Sequence, residues 1–411
     1  MAVAGKLRIR GGRNVAVVAV ALTAALAGTL ASGGAGAAAA ASRPAAVSGR
    51  GELAAGQVGS RSAVPWRHVG AGWVLAEYWP GRPAFQGKPV AAVATLYLID
   101  PAGGRYRIYR WAATASPPYL VDWSGDKSRA LLQSESGAGL EQLVLATGHL
   151  RQFRLAGGAE AIGYTRPRGR GLLGWQQVGS RVRLARYGLT GRLARILTTG
   201  AGDYTAVYSP AGTALAVPGA RGLQLVGSNG GTVRSLPVPG TGAGGCLPAR
   251  WWSPVTVLAS CDAGDSSRGR LWLVPASGAR PAPLTPQRGG RSRDPGDIGA
   301  WRLPGGLYLQ ALGSTGRWSV FRQAADGRVR PVAVPGTAGD NSIRTARGSR
   351  LLVLAASLCY TRTSLLWFSP STGREQILLK PPRGRTGVLG AVPYGQPTAA
   401  VSVGAACGEA G

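Results

Sequence analysis

Four aspartates sit in two short loops at spacings suited to chemistry: Asp262 and Asp265 in CDAGDSSRGR, Asp294 and Asp297 in RSRDPGDIG. Carboxylates gathered on one face can hold calcium through hard oxygen donors, or flank a glycosidic bond as acid and base. Arg268, Arg270, Arg291 and Arg293 are interleaved with them, so salt-bridged loop turns account for the same residues equally well. Other catalytic material is sparse. The two histidines, His68 and His149, offer little to histidine-dependent catalysis. There is no H-E-x-x-H, G-x-S-x-G, G-x-x-x-x-G-K-[ST] or EF-hand loop. No catalytic residue, metal or cofactor is therefore assigned. Cys246, Cys261, Cys359 and Cys407 form no C-x-x-C pair and read as disulfides of an exported protein. Three pairings are open; closeness in sequence favours Cys246–Cys261 and Cys359–Cys407.

Aromatic and cationic residues supply the remaining candidates. Trp123, Tyr208, Trp252 and Trp301 recur near the starts of repeated hairpins, a regularity that argues for packing. Trp111 and Tyr119, in WAATASPPY, and Trp251, beside Trp252, break that regularity. With the four aspartates they are the candidate contacts for a ligand or partner. Arg105, Arg192, Arg328 and Arg374 each follow a turn glycine and would ring the lower rim of a disc. They suit an anionic surface, or are simply solvated turn residues.

The elements that must position these residues are repeats. Seven copies of strand, glycine turn and strand begin at Thr95, Leu140, Arg181, Gly222, Leu271, Trp318 and Leu365. Their turn glycines, Gly104, Gly148, Gly191, Gly231, Gly278, Gly327 and Gly373, are spaced by 40 to 49 residues. A strand-built period of that length predicts a β-propeller. A second hairpin precedes each copy, as in VDWSGDKSRALLQSE and AWRLPGGLYLQAL, giving four antiparallel strands per blade. The expectation is an all-β, seven-bladed propeller of four-stranded antiparallel blades. Eight blades are the alternative, because Gly387 to Cys407 adds an eighth candidate hairpin. Such topology places both aspartate loops and all four cysteines on one face.

The ends and the charge bound the rest. Residues 1–41 read as a secretory signal peptide: Lys6, Arg8, Arg10 and Arg13, a 16-residue apolar run from Val15 to Leu30, then small residues. That run is shorter than the ~20 residues of a membrane span. Residues 42–62 read as a flexible linker and 63–411 as the propeller domain. Formal charge is +30, from 47 basic and 17 acidic residues. The arginine-rich, alanine- and glycine-rich composition resembles high-GC actinobacterial proteins, which explains arginine over lysine but not the scarcity of acids. A net positive field attracts anionic partners.

WSGDKSRALL from Trp123 and YSPAGTALAV from Tyr208 resemble the W-S-P-D-G-x-x-L-A motif of TolB-like propeller repeats, and Trp252-Ser253-Pro254 matches its first positions. Gly125, Lys127 and Ala211 depart from the motif. The resemblance implies the propeller fold. Its members serve as periplasmic scaffolds, as non-catalytic propellers of peptidases and in sugar-polymer enzymes, so it does not choose an activity. The functional expectation is a secreted, monomeric, non-catalytic scaffold that binds an envelope protein or acidic wall polymer, with no specific nucleic acid and no stable membrane span. The alternative is an extracellular polymer hydrolase or lyase that uses the aspartate loops.

Overall fold

The computed structural model describes residues 53–83, 88–134, 139–200, 205–241, 245–261, 269–287, 296–312, 317–337, 340–357, 361–382 and 386–395. Residues 1–41, with Cys359, Cys407, Asp262, Asp265 and Asp294, lie outside them. No helix among the described residues is long and apolar enough to cross a membrane.

Every strand–turn–strand copy is an antiparallel hairpin, such as Leu140–Val144 with Leu150–Phe153 and Thr363–Ser369 with Arg374–Leu379. The turns need residues free to adopt positive φ. Gly148 (φ 73°), Gly191 (φ 85°) and Gly327 (φ 79°) supply it. In the first copy the left-handed position is Gly103 (φ 97°), not Gly104, whose N–H is held by Asp100 Oδ1 at 2.9 Å.

The expected count of seven or eight separate blades is corrected. Five four-stranded sheets stand as blades, over residues 119–153, 160–200, 207–237, 246–283 and 296–331. The remaining strands form one nine-stranded sheet. The cause lies at the chain's end. Gly387–Pro393 pairs antiparallel with Val74–Trp79, from Val74 opposite Pro393 to Trp79 opposite Gly387. Gly387 also bridges Thr363 in parallel. The first and last copies therefore merge instead of standing apart. Part of the expected linker joins them as well: Val58–Ser60 runs parallel to the outer strand Arg105–Thr114.

Side chains from neighbouring sheets fill the space between them. Trp301, Tyr308, Leu351 and Phe368 share one buried cluster; Trp73, Leu96, Tyr106 and Trp123 share another. The first strands of several neighbouring sheets touch one another, as Tyr119–Trp123 does Glu160–Tyr164 and Val207–Tyr208 does Cys246–Ser253, which places them toward the central axis. Such a strand has a sheet partner on one side only, and most of them carry a β-bulge. Their spare backbone groups are met by polar side chains reaching across the seam. Asp122 Oδ2 accepts from Tyr164 N–H (2.7 Å). Ser260 Oγ donates to the Asp297 carbonyl (2.8 Å).

Glu77 and Gln310 occupy matching places in this scheme. Gln310 Oε1 accepts from Ile343 N–H (2.6 Å), and its Nε2 donates to the Asn341 carbonyl (2.7 Å). Glu77 Oε2 accepts from Leu120 N–H (2.7 Å), but its Oε1 is buried without a hydrogen-bond partner. Burial pushes the Glu77 carboxyl up to about 8; the Leu120 bond opposes this and Glu141 adds to it. The folded chain thus keeps this proton to about pH 8, whereas an unfolded glutamate releases it near 4.5. The group's contribution is greatest below pH 4.5, declines across that window and is lost above 8. Glu77→Gln should match the parent at pH 4 and exceed it by up to about 4 kcal/mol at pH 8.5 in urea unfolding. Equal stabilities at both pH values would refute this role.

Candidate functional site

The structure disperses the residues singled out in the sequence. Asp297 heads the strand Gly296–Leu303 with its side chain fully buried. Its N–H donates to the Gly269 carbonyl at 2.8 Å. Arg270, expected to pair with a loop aspartate, lies over the Trp272 ring at 5.0 Å and donates Nε to the Thr285 carbonyl. Trp111 is not in a loop. It belongs to the outer strand Arg105–Thr114, and its Nε1 donates to Glu141 Oε2 of the next blade at 2.9 Å. Tyr119 begins the strand Tyr119–Trp123, half-buried. Trp251 is buried and donates Nε1 to the Val207 carbonyl of the preceding blade (3.3 Å). Of the rim arginines, Arg192, Arg328 and Arg374 are exposed, whereas Arg105 is half-buried with its Nε enclosed. Cys246 and Cys261 face each other across strands Cys246–Ser253 and Thr256–Cys261 and form a disulfide.

Buried charges are the residues that sequence reasoning missed. Asp122 accepts from Arg166 Nη2 (2.7 Å), Tyr164 N–H and Trp123 N–H (2.8 Å). Burial pushes its carboxyl up, and the Arg166 guanidinium pulls it back. Arg250 is buried too. It donates Nε (3.1 Å) and Nη2 to the Ala300 carbonyl, and lies 4.6 Å from the Trp252 ring centre and 5.9 Å from that of Trp301. Burial brings its guanidinium down to about 9. These groups brace one blade against the next. Their signal was present in VLAEYW and YLVDW, where one carboxylate interrupts an otherwise apolar strand.

Their burial changes the surface. Glu77, Asp100, Asp122, Asp297 and Asp340 are all buried. Asp126, Glu141, Glu160, Asp326 and Glu375 are the described carboxylates with solvent access. Arginines do the opposite. The outer strands alternate, so in Arg105–Thr114 Tyr106 and Ile108 point inward and Arg107 outward. Arg107, Arg151, Arg195, Arg234, Arg330 and Arg374 stand exposed on six outer strands; the outer strand Ala282–Pro283 carries none. The result is a cationic belt around the disc.

No family model matches this chain. No curated protein matches it either. Solved structures resemble its fold. A puromycin-hydrolysing peptidase of Mycobacterium tuberculosis is 17% identical with a TM-score of 0.48, over 75% of this chain and 54% of that one. TolB of Acinetobacter baumannii is 15% identical with a TM-score of 0.43, over 79% and 66%. A prolyl endopeptidase is 16% identical with a TM-score of 0.49, over 77% and 51%. The match thus spans about half to two thirds of those chains.

The seam at Asp122 gives a direct test of the bracing role. Arg166→Met leaves a buried carboxylate without its cation and should cost about 3–5 kcal/mol in chemical denaturation. Asp122→Asn with Arg166→Met should recover much of that loss. A single-variant cost within the noise of a surface substitution would show that the pair braces nothing.

Proposed function

We propose that this chain is a non-catalytic propeller scaffold that works outside the cytoplasm, at the cell envelope, and binds an anionic polymer. The carrying observation is the imbalance of exposed charge among the described residues: half of the carboxylates are buried, whereas arginines stand exposed on the outer strands. A surface on which exposed arginines outnumber exposed carboxylates attracts polyanions over distances set by salt, about 10 Å at 0.1 M and about 3 Å at 1 M. The Cys246–Cys261 disulfide fits an oxidising compartment, as does the signal-like N-terminal sequence. The polymer-cleaving alternative rests on Asp262, Asp265 and Asp294, which lie outside the described residues, and on Asp297, which is buried in a strand.

Binding to fluorescent poly(glycerol phosphate) should be measured by anisotropy in 0.1 M and 1 M NaCl. The expected outcome is binding at low salt that weakens at least 100-fold at high salt. Retention unchanged at 1 M, or no binding at 0.1 M, would overturn the proposal.

A further inference from the structure

Between the blades 207–237 and 246–283 the cationic belt opens into a cleft of about 480 Å³. It exists because the second blade's outer strand, Ala282–Pro283, is only two residues long. Pro281 and Pro283 carry no N–H to extend the ladder, so the edge stays short. The floor is apolar: Leu236, Val238 and Val274 line it. Arg221 and Arg280 line its walls, and both are exposed. Arg234 stands at its edge, outside the lining residues. It lies against Gly278, where an added Cβ would come within 3.2 Å of Arg234 Cδ. None of these three arginines has an ion-pair partner among the described residues.

We infer that this cleft seats one repeat unit of a linear phosphodiester polymer, with the polyol on the apolar floor and its phosphates at Arg221, Arg234 and Arg280. The inference rests on the polyanion reading above and adds the place and chemistry of contact. Three features select this occupant. The volume suits a sugar- or polyol-sized unit rather than a bare ion. Guanidinium groups match phosphate oxygens with paired donors. The apolar floor gives the carbon backbone of the unit a surface that a purely electrostatic belt lacks. On one side, flanking phosphates continue toward the outer strand Leu193–Gly200, where Arg195 stands exposed.

The test compares two variants of equal charge change in the full chain. Arg221→Gln/Arg234→Gln/Arg280→Gln empties the cleft of cations. Arg168→Gln/Arg170→Gln/Arg347→Gln removes three exposed arginines away from the cleft. Thermal unfolding checks that both fold. The probe is a labelled glycerol-phosphate oligomer, read by anisotropy across a salt series. The cleft variant should bind at least 10-fold more weakly, with a slope of log Kd against log salt reduced by about 2. The control variant should weaken about 2-fold. Equal weakening by both variants would overturn the cleft while leaving the polyanion reading intact. Absence of binding by the parent chain would end both. Equal affinity for polyglutamate at the cleft would overturn the phosphodiester assignment.

Discussion

The structure depends on satisfying the backbone of the strands nearest the central axis. Each has a sheet partner on one side and a neighbouring blade on the other. An unpaired buried N–H costs roughly 1–3 kcal/mol, so every seam must supply an acceptor. Glu77, Asp122 and Gln310 each do so for the first strand of the next sheet, while Asp340 accepts from Trp318 of the preceding blade. The hydrophobic clusters then close around bonds that fix the register of one blade against the next.

This constraint also sets the exterior. Few acids are encoded, and several are consumed in the interior, where they act as acceptors for backbone N–H groups. Arginine is tolerated in both settings. Arg250 lies beside the Trp252 and Trp301 indoles with no carboxylate partner among the described residues, and Arg107 or Arg195 projects into water from an outer strand. Its long aliphatic stem can cover apolar surface while the head stays solvated. The belt is thus the complement of the braces: the same scarcity of carboxylate that is resolved inside leaves the outside uncompensated.

The repeats were legible because strand period and turn glycines are local properties. The hairpins begin and end close to where alternation places them, and Cys246–Cys261 follows from being opposite in one hairpin. Blade count was not legible, because it hinges on Gly387–Pro393 finding Val74–Trp79, a pairing between distant segments. The site reading failed for a related reason. Trp111 lies in a segment rich in small and polar residues that reads as a loop, yet its indole is fixed by Glu141 on another blade. Whether a lone carboxylate in an apolar strand faces solvent or a seam is decided by the neighbouring sheet, which local pattern does not contain. Arg192, Arg328 and Arg374 stand exposed after their turn glycines and Arg105 does not, while the exposed outer-strand arginines form the broader surface.

The union of the chain's two ends in one sheet has a temporal meaning. Tyr78 Oη donates to the Lys380 carbonyl, and Gln376 Nε2 to that of Ala102, contacts between residues separated by 302 and 274 positions. During synthesis the five blades between them can assemble in order, each against its predecessor. The segment around Val74–Trp79 must wait, with one strand edge open, until the last residues arrive. Completion of the ring is therefore a late event of high contact order, and slow relative to the hairpins that precede it. Until then the edge at Val74–Trp79 stays open, and Gly387–Pro393 acts as the latch that closes it.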